Sequence, residues 1–148
     1  MSDSKREMKK RKLMGLARVN EKWNELRRCS SEERKQLLNQ HTLTFHMDAV
    51  GTGWEYIHFE LDGQVVASFR VSYIGPGVET FVNELSNMKE EDCRVICFYD
   101  EPGEYFLIFA RKKDLLYIQL PSRKKAIWQE YAVFLSQVRA EEKNYYRS

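Results

Sequence analysis

No GxSxG, no CxxC and no apolar run of membrane-spanning length occurs in this sequence, and each gap excludes something. Without the first, Ser68 and Ser72 stand on a strand pattern with no nucleophile elbow and no base in view. Without the second, the cysteines do not read as a redox pair or a zinc framework. A membrane helix takes about 20 apolar residues, and the basic N-terminus lacks the apolar core of a signal peptide. Cys29, Cys93 and Cys97 are an odd number. Cys93 and Cys97 share one face of an expected strand about 13 Å apart, too far to bond. The chain therefore reads as reduced and cytoplasmic.

Phosphate-binding signatures are missing as well. Gly75-Pro76-Gly77 sits between a strand pattern and a helix, where a phosphate loop would lie. Proline removes a backbone donor there, the third residue past Gly77 is Thr80, and no P-loop lysine follows. The stretch reads as a stiff turn that aims the next helix at a sheet, with Glu79 complementing the helix dipole.

What is present suits a packed domain. The chain has 148 residues, 43% hydrophobic and 13% aromatic, enough for one core. The net charge of +2 conceals an imbalance: residues 1–40 carry +6, residues 41–148 carry −4. Leu16, Val19, Trp23 and Leu26 form an apolar stripe on a helix over residues 4–28. Ser30 and Glu33 form a capping box for a second short helix ending at Leu38.

From Thr42 the period changes to two. Strands are expected at 42–50, 54–61 and 64–74, with Asp62-Gly63 as a two-residue hairpin turn. If Val50 pairs with Trp54, Phe45, Met47, Ile57, Phe59 and Leu61 share one face, and Thr44, His46, Asp48, Tyr56, His58 and Glu60 the other. Val78, Phe81, Val82, Leu85 and Met88 mark a helix. Strands at 93–100, 104–112 and 115–120 follow, apolar on both faces. Ile127, Tyr131, Phe134, Leu135 and Val138 place a last helix from Ser122 to Ala140, ahead of a loose tail. The fold class is α+β: a six-stranded antiparallel meander, βββ-α-βββ-α, with a helical N-terminal arm. The expected division is a basic helical arm, 1–40, and an α+β domain, 41–148, in one compact unit.

Four features are candidates for function. Two acidic clusters, Glu90, Glu91 and Asp92 before the fourth strand and Asp100, Glu101 and Glu104 around the next hairpin, the second flanked by Tyr99 and Tyr105, offer an acidic, tyrosine-bearing rim suited to a basic protein. The same residues are also what turns ordinarily contain. Lys5, Arg6, Lys9, Lys10, Arg11 and Lys12 offer an anion-binding face, or only a solvated helix start. Arg111–Lys113 and Arg123–Lys125, with Tyr117 and Trp128, give a fainter nucleic-acid pattern. His46 and His58, facing each other near Asp48 and Glu60, are a weak metal candidate. No metal and no other cofactor is expected.

The hairpin GWEYIHFELDGQVVASFRVSYI, the turn and helix GPGVETFVNELSNM and the meander RVICFYDEPGEYFLIFARKKDLLYIQLP follow in an order that resembles small immunity proteins of bacterial polymorphic-toxin and contact-dependent inhibition systems. Phe81 and Leu85 match their F-x-x-x-L helix pattern. The resemblance covers residues 42–121 and leaves out the basic arm. It implies a non-enzymatic cytoplasmic protein that blocks a cognate toxin, often a basic nuclease, through its acidic rim. The rival readings are a nucleic-acid adaptor working through the basic helix and a small-ligand or metal-binding domain.

Overall fold

The computed structural model describes residues 3–50, 54–72, 78–100, 103–120 and 126–147. Their order is α1 (Asp3–Leu26), α2 (Ser31–Leu38), β1 (Leu43–Val50), β2 (Trp54–Leu61), β3 (Gln64–Ser72), α3 (Val78–Ser86), β4 (Cys93–Asp100), β5 (Gly103–Lys112), β6 (Leu115–Gln119), β7 (Ile127–Glu130) and α4 (Tyr131–Arg147). The class is α+β with antiparallel sheets, as the alternating periods imply.

The meander is not one six-stranded sheet. Strands β1-β2-β3 form a three-stranded sheet and β4-β5-β6-β7 a four-stranded one. Strand β3 lies against β4 without belonging to the same ladder. The first sheet has the expected register, Val50 opposite Trp54 and His46 opposite His58. Asp62 and Gly63 both take positive φ, 52° and 85°, which a two-residue hairpin turn requires. A register shift between Phe59 and Glu60 adds a bulge to β2.

The seventh strand replaces the start of the expected last helix. Ile127 faces one apolar cluster and Trp128 the other, which needs side chains on alternate sides. Tyr117 and Trp128 meet edge to face at 5.0 Å. The chain turns into α4 at Tyr131, whose N–H donates to Asp114 O at 2.8 Å. Ile127 and Tyr131 both stay inward across this switch, so their spacing mimics one continuous helix. The segment expected to be a loose tail continues α4 to Arg147.

Two apolar clusters account for strands that are apolar on both faces. The first lies between the sheets, α3 and α4. Four phenylalanines from different elements close a ring there: Phe45–Phe81 at 5.8 Å, Phe81–Phe109 at 6.0 Å, Phe109–Phe134 at 5.7 Å and Phe134–Phe45 at 5.7 Å. Each contact adds about 0.5–1.5 kcal/mol beyond area burial.

The second cluster lies on the opposite face of the four-stranded sheet. There Val19 and Leu26 of α1 and Leu38 of α2 cover Cys93, Ile108, Ala110, Leu115 and Tyr117. The basic arm is thus a packed layer sharing a cluster with β4, β5 and β6. Its stripe is the one read from the sequence: Val19 and Leu26 are buried, Leu16 and Trp23 partly so. Ser30 caps α2, its Oγ accepting from Glu33 N–H at 3.2 Å.

Candidate functional site

The two acidic clusters lie at opposite ends of β4. Glu90–Asp92 precedes β4, whereas Asp100 ends that strand and Glu104 stands near the start of β5. Asp92 and Asp100 are eight steps apart along β4, about 26 Å at about 3.3 Å each.

The first group is built into a turn. Glu91, at φ 67°, pairs with Lys112, and its N–H donates to Arg111 O at 2.9 Å. Asp92 accepts from Lys89 N–H at 2.9 Å and pairs with Arg94 at 3.2 Å. The Lys112 ammonium holds the Glu91 carboxyl below its usual range, and the Lys89 N–H does the same for Asp92. Glu90 is exposed. This turn joins the end of β5 to the start of β4.

Of the second group, Glu101 lies outside the described residues. Tyr99, Asp100, Glu104 and Tyr105 are described in backbone only. Their register sets Tyr99 opposite Glu104, Asp100 opposite Gly103 and Phe98 opposite Tyr105, so all four converge at one hairpin tip.

The histidine face forms as the register requires, but its rings go to separate partners. His46 stands 3.7 Å from a Glu60 oxygen and 3.5 Å from Glu141 Oε1. His58 bonds Ser68 Oγ at 2.8 Å and stacks on Tyr56 at 5.8 Å. Among the described residues no three His, Cys, Asp or Glu side chains gather to hold a metal ion.

The fainter basic pattern dissolves into internal contacts. Arg111 donates to Met88 O at 2.8 Å and lies 4.2 Å over the Tyr131 ring. Tyr117 is buried. Arg123–Lys125 and Gly75-Pro76-Gly77 lie outside the described residues. Cys29 is half-buried, its Sγ 3.8 Å from Glu25 O.

The run on α1 is different. Lys5, Arg6, Lys9 and Lys10 are exposed, and among the described residues none of the four has an acidic partner. Arg11 turns inward, pairing with Glu7 at 2.9 Å and lying 4.4 Å over Phe106. Lys12 helps to hold the Asp92 carboxyl down. The four outward cations stack as i,i+4 like-charge pairs, Lys5 with Lys9 and Arg6 with Lys10, each costing about 0.2–0.5 kcal/mol. Lys5 and Arg6 stand in the first turn, at the positive end of the helix dipole.

Anchoring fixes this face in direction. A Cβ on Gly15 would stand 2.9 Å from Cys93 Sγ and 2.9 Å from Ile108 Cγ2, so the helix backbone seats directly on the sheet. Composition revealed the charge run. It gave no sign of which cations point out, because that depends on where α1 docks. Among the described residues no helix is long and apolar enough to cross a membrane. No family model, no curated protein and no solved structure matches the chain.

Proposed function

We propose that this chain is a non-enzymatic binding protein that presents the outer face of α1 to the phosphate backbone of a nucleic acid. The observation that carries the reading is the set Lys5, Arg6, Lys9 and Lys10: exposed, without acidic partners among the described residues, and stacked on one another as like-charge i,i+4 pairs. Cations kept at such a position gain their stabilisation when phosphates arrive and counterions leave. Together with Lys12 they span about 10 Å of helix at about 1.5 Å per residue. Such a patch grips a backbone and carries no base readout.

The test is fluorescence anisotropy with labelled duplex and single-stranded oligonucleotides over a salt series. Four phosphate contacts on a duplex give a slope of log K against log salt of about −3.6. Replacing Lys5, Arg6, Lys9 and Lys10 with Gln flattens that slope and leaves the fold intact. Absence of binding at low salt, or an unchanged slope in the variant, discards the proposal. Binding to acidic protein or anionic vesicles with none to oligonucleotides reassigns the face to that partner.

A second reading keeps the protein partner that the immunity-protein resemblance implies. The observation in its favour is the β4–β5 register, which gathers Tyr99, Asp100, Glu104 and Tyr105 at one tip. There the protein would block a basic toxin by occupying it. Reversing Asp100, Glu101 and Glu104 to Lys weakens binding to such a toxin; unaltered affinity removes the hairpin from consideration.

A further inference from the structure

Beyond its cations the outer face of α1 changes character. Arg6, Lys10, Leu13, Ala17, Asn20 and Asn24 recur at steps of four and three, which sets them on one line of the helix, and all six are exposed. The line faces away from the sheet, because Gly15, Val19 and Leu26 occupy the seated side. It opens with cations and then turns neutral. Arg27 and Arg28, exposed in the closing turn, restore positive charge at the far end, with no acidic partner among the described residues. Lys10 and Arg27 stand about 25 Å apart at about 1.5 Å per residue. Arg18 and Lys22 turn aside towards Tyr117 and Trp128.

The neutral stretch is suited to contact. Leu13 is 62% exposed and Met14 beside it 37%, two of the four large apolar side chains that the described residues leave in solvent. Ala17 is small, so another surface can approach the helix closely there. Asn20 and Asn24 have no side-chain hydrogen-bond partner among the described residues. Glu7 and Glu25 are paired with Arg11 and Lys22. Glu21, the remaining described carboxylate of α1, falls within the neutral stretch and away from both cation groups.

Cations at two ends, with amides and small apolar groups between them, match one nucleic-acid surface. The major groove of B-form DNA is about 12 Å wide and admits an α-helix, with phosphates along its borders and base edges on its floor. Asparagine there bonds adenine N6 and N7 together, and an apolar side chain meets the thymine methyl. The major groove of A-form RNA is too narrow for side chains to read.

We infer that Leu13, Ala17, Asn20 and Asn24 enter the major groove of duplex DNA and read A·T pairs, with the cations at both ends on the bordering phosphates. The inference rests on the phosphate-binding reading of α1 and adds sequence preference to it.

Fluorescence anisotropy on the full chain at one salt concentration tests it, with A·T-only and G·C-only DNA duplexes of equal length, an A·U RNA duplex, and an A·T duplex carrying 7-deazaadenine, which lacks the major-groove N7 acceptor. The A·T duplex is expected to bind about tenfold tighter than the G·C duplex, and the RNA and 7-deazaadenine duplexes no tighter than the G·C one. Asn20→Ala and Asn24→Ala lie at exposed helical positions that tolerate alanine. Each is expected to lose most of the A·T preference and to keep the salt slope. Equal affinity for A·T and G·C DNA, undiminished binding to the 7-deazaadenine duplex, or a preference retained in both variants overturns the inference, and a wild-type salt slope then leaves the backbone grip standing. Absence of binding to every oligonucleotide overturns both readings. Binding to anionic vesicles alone overturns both as well and assigns Leu13 and Met14 to a lipid surface.

Discussion

Gly15 of α1 and Cys93 of β4 meet so closely that a single methyl group on the glycine would stand 2.9 Å from the sulfur. The same methyl would stand 2.9 Å from Ile108 Cγ2, and β-branched Ile108 is stiff about χ1. Helix propensity alone favours alanine by about 1 kcal/mol. Overpacking of this kind costs about 1–3 kcal/mol. Gly15→Ala is therefore expected to lower the urea midpoint, by about 1 kcal/mol net. A midpoint at or above wild type would mean that α1 lifts from the sheet without cost.

Cys93 leads to a pH prediction. Burial pushes its thiol from 9.0 up to about 12, against a smaller opposing pull from Lys12 and Arg94. The folded state keeps a proton that the unfolded chain releases above about pH 9. Stability from this group is therefore complete below pH 9 and falls as the pH rises towards 12, by up to about 1.4 kcal/mol per pH unit. Urea midpoints at pH 8 and pH 10 should show the decline, and in Cys93→Ala it should be shallower. Iodoacetamide at pH 8 should label Cys29 well before Cys93.

Glu141 guards the free edge of the three-stranded sheet. Its Oε1 accepts from Met47 N–H at 3.3 Å and lies 3.5 Å from His46 Nδ1. Glu141→Ala removes a charge-assisted bond, a loss of about 1.5–3 kcal/mol, and leaves part of β1 open to pairing with another chain. Lower stability together with concentration-dependent association in sedimentation is the expected pair of results. A monomer of unchanged stability would remove this role.

Tyr131 ties α4 to α3, its hydroxyl donating to Leu85 O at 2.6 Å in a buried setting. Tyr131→Phe keeps the ring and the Arg111 contact and deletes only this bond. A loss of about 1–2 kcal/mol is expected from the stranded carbonyl, measured by urea unfolding. An unchanged midpoint would show that the carbonyl finds another donor.

The local rules of the chain were legible wherever one short-range signal decided the outcome. The Asp62-Gly63 turn, the Ser30 cap and the alternation of Phe45, Met47, Ile57 and Phe59 each required only neighbours in sequence. Strand β7 was hidden because Ile127 and Tyr131 satisfy a helical spacing while serving two elements. The division into two sheets depends on how β3 meets β4 across α3, a long-range matter no window contains. The site was less legible still. Glu91 pairs with Lys112, and Asp92 with Lys89 N–H and Arg94, and no sequence window shows that Lys112 lies beside Glu91.

Strand β5 is enclosed on both sides, with Phe106 through Ala110 buried between the phenylalanine ring and the α1 layer. Its amide protons can meet solvent only when a whole layer departs, so they should be the last in the molecule to exchange with deuterium. The moment at which Ile108 and Ala110 lose protection therefore times the release of α1, and with it the loss of the fixed direction in which its cations point.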